Sequence, residues 1–182
     1  MFRSTPLAGF LAGFTAMAVA QGDPWTQHGD WAKSQISGCQ AVTDGPRDIC
    51  RYFAAEALKE LFGVDEFCAG ERCMTAPEVE SRIRNSPEQW SVLGTADDQA
   101  ALDKARELAG QGQVVVAGQD FEDRSQVAII MPGKPVSSGK WAMDRVPIAA
   151  STRTDAPDRS VYGEGINWVF SDPGRVTLYV RQ

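Results

Sequence analysis

The sequence predicts a single α+β domain, and three observations carry that prediction. Apolar residues between 49 and 110 recur at helical spacing, whereas from residue 114 they fall in short runs or alternate with polar ones. Once a leader is removed, the 182-residue chain supports one sizeable core rather than two. Helices first and strands second give N-terminal helices packed on a C-terminal antiparallel sheet.

The leader is Met1 to Ala20. It pairs one charge, Arg3, with an apolar stretch through Leu7, Phe10, Leu11 and Phe14, and closes on Ala18-Val19-Ala20. That is the pattern of a secretory signal cleaved before Gln21, leaving residues 21–182 as one secreted or periplasmic domain. A membrane anchor needs about 20 strongly apolar residues, and this stretch is interrupted by Gly, Ser, Thr and Pro. No later apolar run reaches spanning length, so no membrane contact is expected after cleavage.

Asp23-Pro24-Trp25 opens a helical stretch through Trp31 and Ile36, with Ser37-Gly38 as its stop; Thr43 to Pro46 is a turn cluster. From Ile49, the positions Phe53, Ala54, Ala57, Leu58 and Leu61 define one helix with Gly63 as its C-terminal cap and Cys50 in its first turn. Thr75-Ala76-Pro77-Glu78 has capping-box spacing and starts a short helix to about Arg84. Thr95-Ala96-Asp97-Asp98 starts another, with acidic residues in its first turn and Leu102, Ala105 and Leu108 on one face. Val114 to Ala117 is a buried strand, Gly118 to Arg124 an acidic turn, and Gln126 to Met131 the next strand, stopped by Pro132-Gly133. Trp141–Met143 and Val146–Ala149 are two further strands. In the last one, Val176, Leu178 and Val180 alternate with Thr177, Tyr179 and Arg181.

A net charge of −6 with no basic cluster disfavours a nucleic acid or anionic-lipid partner. Four cysteines in an exported chain indicate two disulfides, for which three connectivities exist. Pairing Cys39 with Cys50 and Cys68 with Cys73 needs only local loop closure and is favoured; each bridge then contributes about 2 to 3 kcal/mol. Zinc is the competing use of the four sulfurs, but no C-x-x-C pair is present. Neither metal nor cofactor is expected.

Two segments carry chemistry. Asp48-Ile49-Cys50-Arg51-Tyr52-Phe53 puts a cysteine at a helix start, where unpaired N–H groups and the helix dipole stabilise a thiolate. Ser125-Gln126-Val127-Ala128-Ile129-Ile130 is a strand led by a polar residue. In this order and spacing the chain resembles the papain-like peptidoglycan amidase effectors of type VI secretion, compact relations of the NlpC-type and CHAP-type cell-wall hydrolases. Cys50-Arg51-Tyr52-Phe53-Ala54 matches the family's nucleophile motif, and Gln89-Trp90 through Gly118 matches its tryptophan, helix and strand block. The tail from Ser160-Val161-Tyr162-Gly163 to Trp168 and the closing strand fit as well. The resemblance implies a papain-like, NlpC-like cysteine amidase fold from about Trp31 to Val180. It also implies a peptidoglycan stem peptide as ligand, Cys50 as nucleophile, and a histidine base where this chain has Gln126.

That departure decides the expected activity. An amide accepts no proton at neutral pH, and losing the base from such a unit costs on the order of a thousandfold in rate. A bridge from Cys50 to Cys39 would also remove the nucleophile. Neither Trp141 nor Met143 in the following strand replaces a polar orienting residue. Substitute bases are His28, the only histidine, and the turn carboxylates Asp120, Glu122 and Asp123; a solvated surface is the commoner setting for both. Trp25, Trp31, Trp90, Trp141 and Trp168 are candidate sugar or peptide contacts, with Trp90 and Trp141 the expected ligand-binding pair, although packing is the commoner use of an indole. The leading expectation is a catalytically degenerate domain that binds a peptide or cell-wall ligand. The alternatives are an active amidase with an unconventional base and a secreted interaction or inhibitor protein that uses only the scaffold.

Overall fold

The computed structural model describes residues 23–119 and 125–182, so the expected leader at 1–20 lies outside the described residues. Helices and antiparallel strands build the molecule, as α+β requires. α1 (Pro24–Gln40) begins at Asp23, whose carboxylate accepts the Trp25 backbone N–H at 3.1 Å. It runs through the expected stop at Ser37-Gly38. Gly38 serves packing instead: a Cβ there would lie 2.7 Å from Ile49 Cδ1, so its absence lets α1 approach α2 (Asp48–Arg51) closely.

The single helix expected from Ile49 is broken at Tyr52 into α2 and α3 (Phe53–Phe62). In an unbroken helix the Cys50 carbonyl would accept the Ala54 N–H. Here it accepts the Thr152 hydroxyl at 2.7 Å, a side-chain intrusion of the kind that kinks helices. α3 then ends on Gly63, whose φ of 67° is the left-handed cap the sequence indicated.

β1 (Cys68–Ala69) and β2 (Arg72–Cys73) form a small hairpin. In α4 (Ala76–Arg84), the Glu78 carboxylate accepts the Thr75 backbone N–H at 2.7 Å and the Thr75 hydroxyl at 2.9 Å. Those two bonds hold the Glu78 carboxyl below the usual carboxylate range.

β3 (Trp90–Thr95) follows, then α5 (Gln99–Gly110). Asp98 caps α5 by accepting the Ala100 N–H at 2.8 Å, so the acidic residues expected within its first turn precede it instead. The remaining elements are β4 (Val115–Gln119), β5 (Gln126–Ile130), β6 (Val136–Ser138), β7 (Met143–Val146), β8 (Ile148–Ser151), β9 (Val161–Gly165), α6 (Ile166–Val169) and β10 (Val176–Arg181). The main sheet runs β3-β10-β4-β5-β8-β9 with antiparallel neighbours throughout, while β6 and β7 pair separately. Strands β1, β2, β3, β6 and β9 lie where the sequence pattern predicts none, and the strand expected at Trp141–Met143 lies at Met143–Val146.

The helices divide between the two faces of the sheet. Alternation sends Val116, Val127 and Ile129 into a core with Phe53, Ala54, Leu58 and Val79 of α3 and α4. Val115, Ala117, Ala128 and Ile130 face the other way, against Leu102, Ala105 and Leu108 of α5 and Ile166 and Val169 of α6. Both faces are therefore covered. On the second face Arg145 clamps α5 to β7, donating to Asp103 at 3.0 and 2.6 Å and holding that carboxyl below its ordinary range.

β3 is an edge strand, paired only with β10. Its register against β10 slips where Val92 faces Tyr179 and Gly94 faces Leu178, and Val92 stays largely in solvent. Gly94, with φ of 143°, sits so close to α5 that a Cβ would meet the Ala101 Cβ at 2.8 Å.

Candidate functional site

The site is built at one end of the sheet, where β4 finishes and β5 begins. A cleft of about 810 Å³ opens there, lined by Cys50 and Arg51 of α2, Ala76 and Pro77 at the start of α4, and Gln119, Ser125 and Gln126 of the strand ends. Thr152, Arg153 and Asp155 after β8 and Trp168 and Phe170 around α6 complete much of the wall. The structure thus brings Cys50 and Gln126 to one cavity, but they reach it from opposite sides. Gln126 shares the pleat face of Ala128 and Ile130, which packs on α5 and α6; the helix that follows Cys50 packs on the face of Val127 and Ile129.

Both disulfides are local pairs: Cys39–Cys50, with a Cα separation of 5.1 Å, and Cys68–Cys73. The first forms part of the cleft wall. Its sulfur at Cys39 accepts the Ser160 hydroxyl at 3.2 Å. Ser160 Oγ also accepts the Arg153 backbone N–H at 3.0 Å, and the Ser160 carbonyl accepts Gln40 Nε2 at 2.7 Å. With Thr152 on the Cys50 carbonyl, the bridge is held from both ends. A bridged sulfur is neither a thiolate nor a metal ligand. Among the described residues, no three His, Cys, Asp or Glu side chains converge as a cation site.

Of the proposed substitute bases, His28 lies among the described residues. His28 is exposed on α1, eleven residues before Cys39 and so about 16 Å along the helix by its rise per residue. It does not line the cleft. Asp120, Glu122 and Asp123 lie outside the described residues.

Trp90 and Trp141, the expected ligand-binding pair, both lie in the core. Trp90 packs beside Phe67 and donates its indole N–H to Glu66 at 3.2 Å, and Trp141 is buried with α5, β7 and β8. Neither lines the cleft. The indole that does is Trp168, 66% exposed on α6.

Sequence reasoning also missed Gln119. It is the residue directly opposite Gln126 in the β4–β5 register, so the two amides project on one face at the cleft. The sequence signal is a polar residue closing an otherwise apolar strand, but Gly118 reads as the start of the acidic turn and places Gln119 within it. A further feature is charge: Arg51, Lys140, Arg153, Arg159 and Arg175 line the cleft with one carboxylate, Asp155, among the described residues. Arg153 already holds that carboxylate in a two-pronged contact at 3.1 and 2.7 Å.

No helix among the described residues is long and apolar enough to cross a membrane. No protein-family model matches this chain, and no curated protein matches it. The chemistry of the cleft is therefore the basis on which its role is read. It offers amides, guanidinium groups, hydroxyls and one indole, which can bind and orient a ligand. Among the described lining residues it offers neither a nucleophile nor a general base of the cysteine–histidine kind.

Proposed function

We propose that this chain is an exported, disulfide-stapled domain of papain-like amidase descent whose former catalytic cleft binds a peptide or cell-wall ligand without cutting it. The observation that carries this reading is the Cys39–Cys50 bridge in the cleft wall. The sulfur that would attack is bonded to another sulfur, while the cavity around it persists. An amide at 126 in place of an imidazole points the same way, since it exchanges hydrogen bonds with a ligand but carries no proton between groups. Two disulfides suit an oxidising compartment, in keeping with export.

The test is incubation of the oxidised domain, residues 21–182, with purified insoluble peptidoglycan. Retention on the pellet with no released fragments by mass spectrometry is the expected result. Fragment release that disappears in Cys50→Ala would replace this reading with an active amidase. Failure to sediment, together with capture of a protein partner, would replace it with a scaffold-only interaction role.

A further inference from the structure

Gln119 is 2% exposed, lines the cleft, and its side-chain Nε2 has no hydrogen-bond partner among the described residues. A buried donor left unpaired costs about 1–3 kcal/mol, a cost that an acceptor entering the cleft would remove. The groups around it narrow what that acceptor is. Arg51, Lys140 and Arg159 have no ion-pair partner among the described residues, and Arg153 and Arg175 line the same cavity. Were all four charges of the connection 120–124 turned toward the cleft, cations would still outnumber carboxylates. In a chain of net charge −6 this is a local reversal of sign, and a concave site concentrates such a field.

We infer that the cleft is a receptor for a carboxylate: the anionic group docks on Gln119 Nε2, within the field of the arginines, and the adjoining apolar part of the ligand lies on Trp168. This rests on the binding role proposed above and names the chemistry recognised. Charge-assisted bonds from amide and guanidinium donors are roughly twice as strong as neutral ones, so a carboxylate outcompetes an amide carbonyl of the same shape. The 66% exposed indole supplies a flat apolar platform beside the polar floor. Gln126, opposite Gln119 in register, supplies a second amide on the same side.

The probes are soluble stem peptides released from purified peptidoglycan, used with their carboxylates free and after conversion to carboxamides, with inorganic phosphate as a third ligand. Binding is followed by the NMR shifts of the Trp168 indole N–H and the Gln119 side-chain NH₂ in isotope-labelled protein. The free-acid peptide is expected to bind at least tenfold more tightly than the amidated one and to move both signals. Gln119→Leu, which removes the unpaired donor, should lose about tenfold in affinity with an unchanged or higher melting temperature; Trp168→Ala, at an exposed position, should weaken binding without altering the fold. Equal binding of acid and amide forms, with Trp168 still shifting, would overturn the carboxylate assignment and leave the cleft as a binding site. Phosphate competing as well as the acid peptide would also overturn it. Silence of both signals toward every probe up to millimolar concentration would sink this inference and the binding role together.

Discussion

The two disulfides occupy contrasting places. Cys68–Cys73 closes a hairpin whose strands already pair at those same two residues, and it does not line the cleft. Cys39–Cys50 joins the end of α1 to α2, with both sulfurs buried and with Ser160 and Thr152 tied to it. One bridge repeats what the hydrogen bonds already specify. The other fixes α1 against α2 across the loop of residues 41–47, and it forms part of the wall where a ligand would rest. A bridge near the site is thus both a stabiliser and a determinant of shape, while the remote one is only the former.

This contrast can be broken or sharpened experimentally. The largest effect is expected from Cys39→Ala with Cys50→Ala: loss of about 3 kcal/mol from the unfolded-state entropy of the closed loop, with weakened retention on peptidoglycan, read by denaturant midpoint and sedimentation. Cys68→Ala with Cys73→Ala should cost less, about 2 kcal/mol for its shorter loop, and leave retention intact. Equal loss of retention in the two variants would remove the distinction. Next comes Thr152→Val, which frees the Cys50 carbonyl at a cost of about 1 kcal/mol. Amide hydrogen exchange should then reveal greater protection at Ala54, whose N–H gains the acceptor that Thr152 had occupied.

The smallest effect serves as the control that touches neither bridge. Glu78→Gln should cost about 0.5–1 kcal/mol at pH 7 through loss of its charged cap on α4. Because hydrogen bonds from Thr75 lower the Glu78 pKa in the folded state, the carboxylate's contribution is fully present above the ordinary glutamate range. It fades as pH falls through the lowered folded value. Melting curves of wild type and variant should therefore converge in acid.

Local signals made parts of this molecule legible in advance. The capped start of α4, the Gly63 end of α3, the alternation in β10 and the two short cysteine loops each depend on residues a few positions apart. What escaped depended on tertiary neighbours. Gly38 reads as a stop until Ile49 is found beside it, and the break at Tyr52 is caused by a threonine 102 positions downstream in the sequence from Cys50. β3 carries Ser91 and Gly94 and pairs on one side only, so its pattern was too mixed to read as a strand. Within the cleft, Gln119 gains its meaning from its register opposite Gln126, and Trp168 from being left uncovered, while Trp90 and Trp141 are enclosed. Neither register nor enclosure is written in a residue's immediate neighbours.

The slipped register along β3 bears on how readily this edge could pair with a second copy of the chain. A regular outer strand would offer evenly spaced donors and acceptors to any passing copy and so seed stacking into larger assemblies. With Val92 turned to water and Gly94 drawn against α5, the rim is out of step, and a second molecule attempting to zip onto it finds its partners misaligned at the bulge.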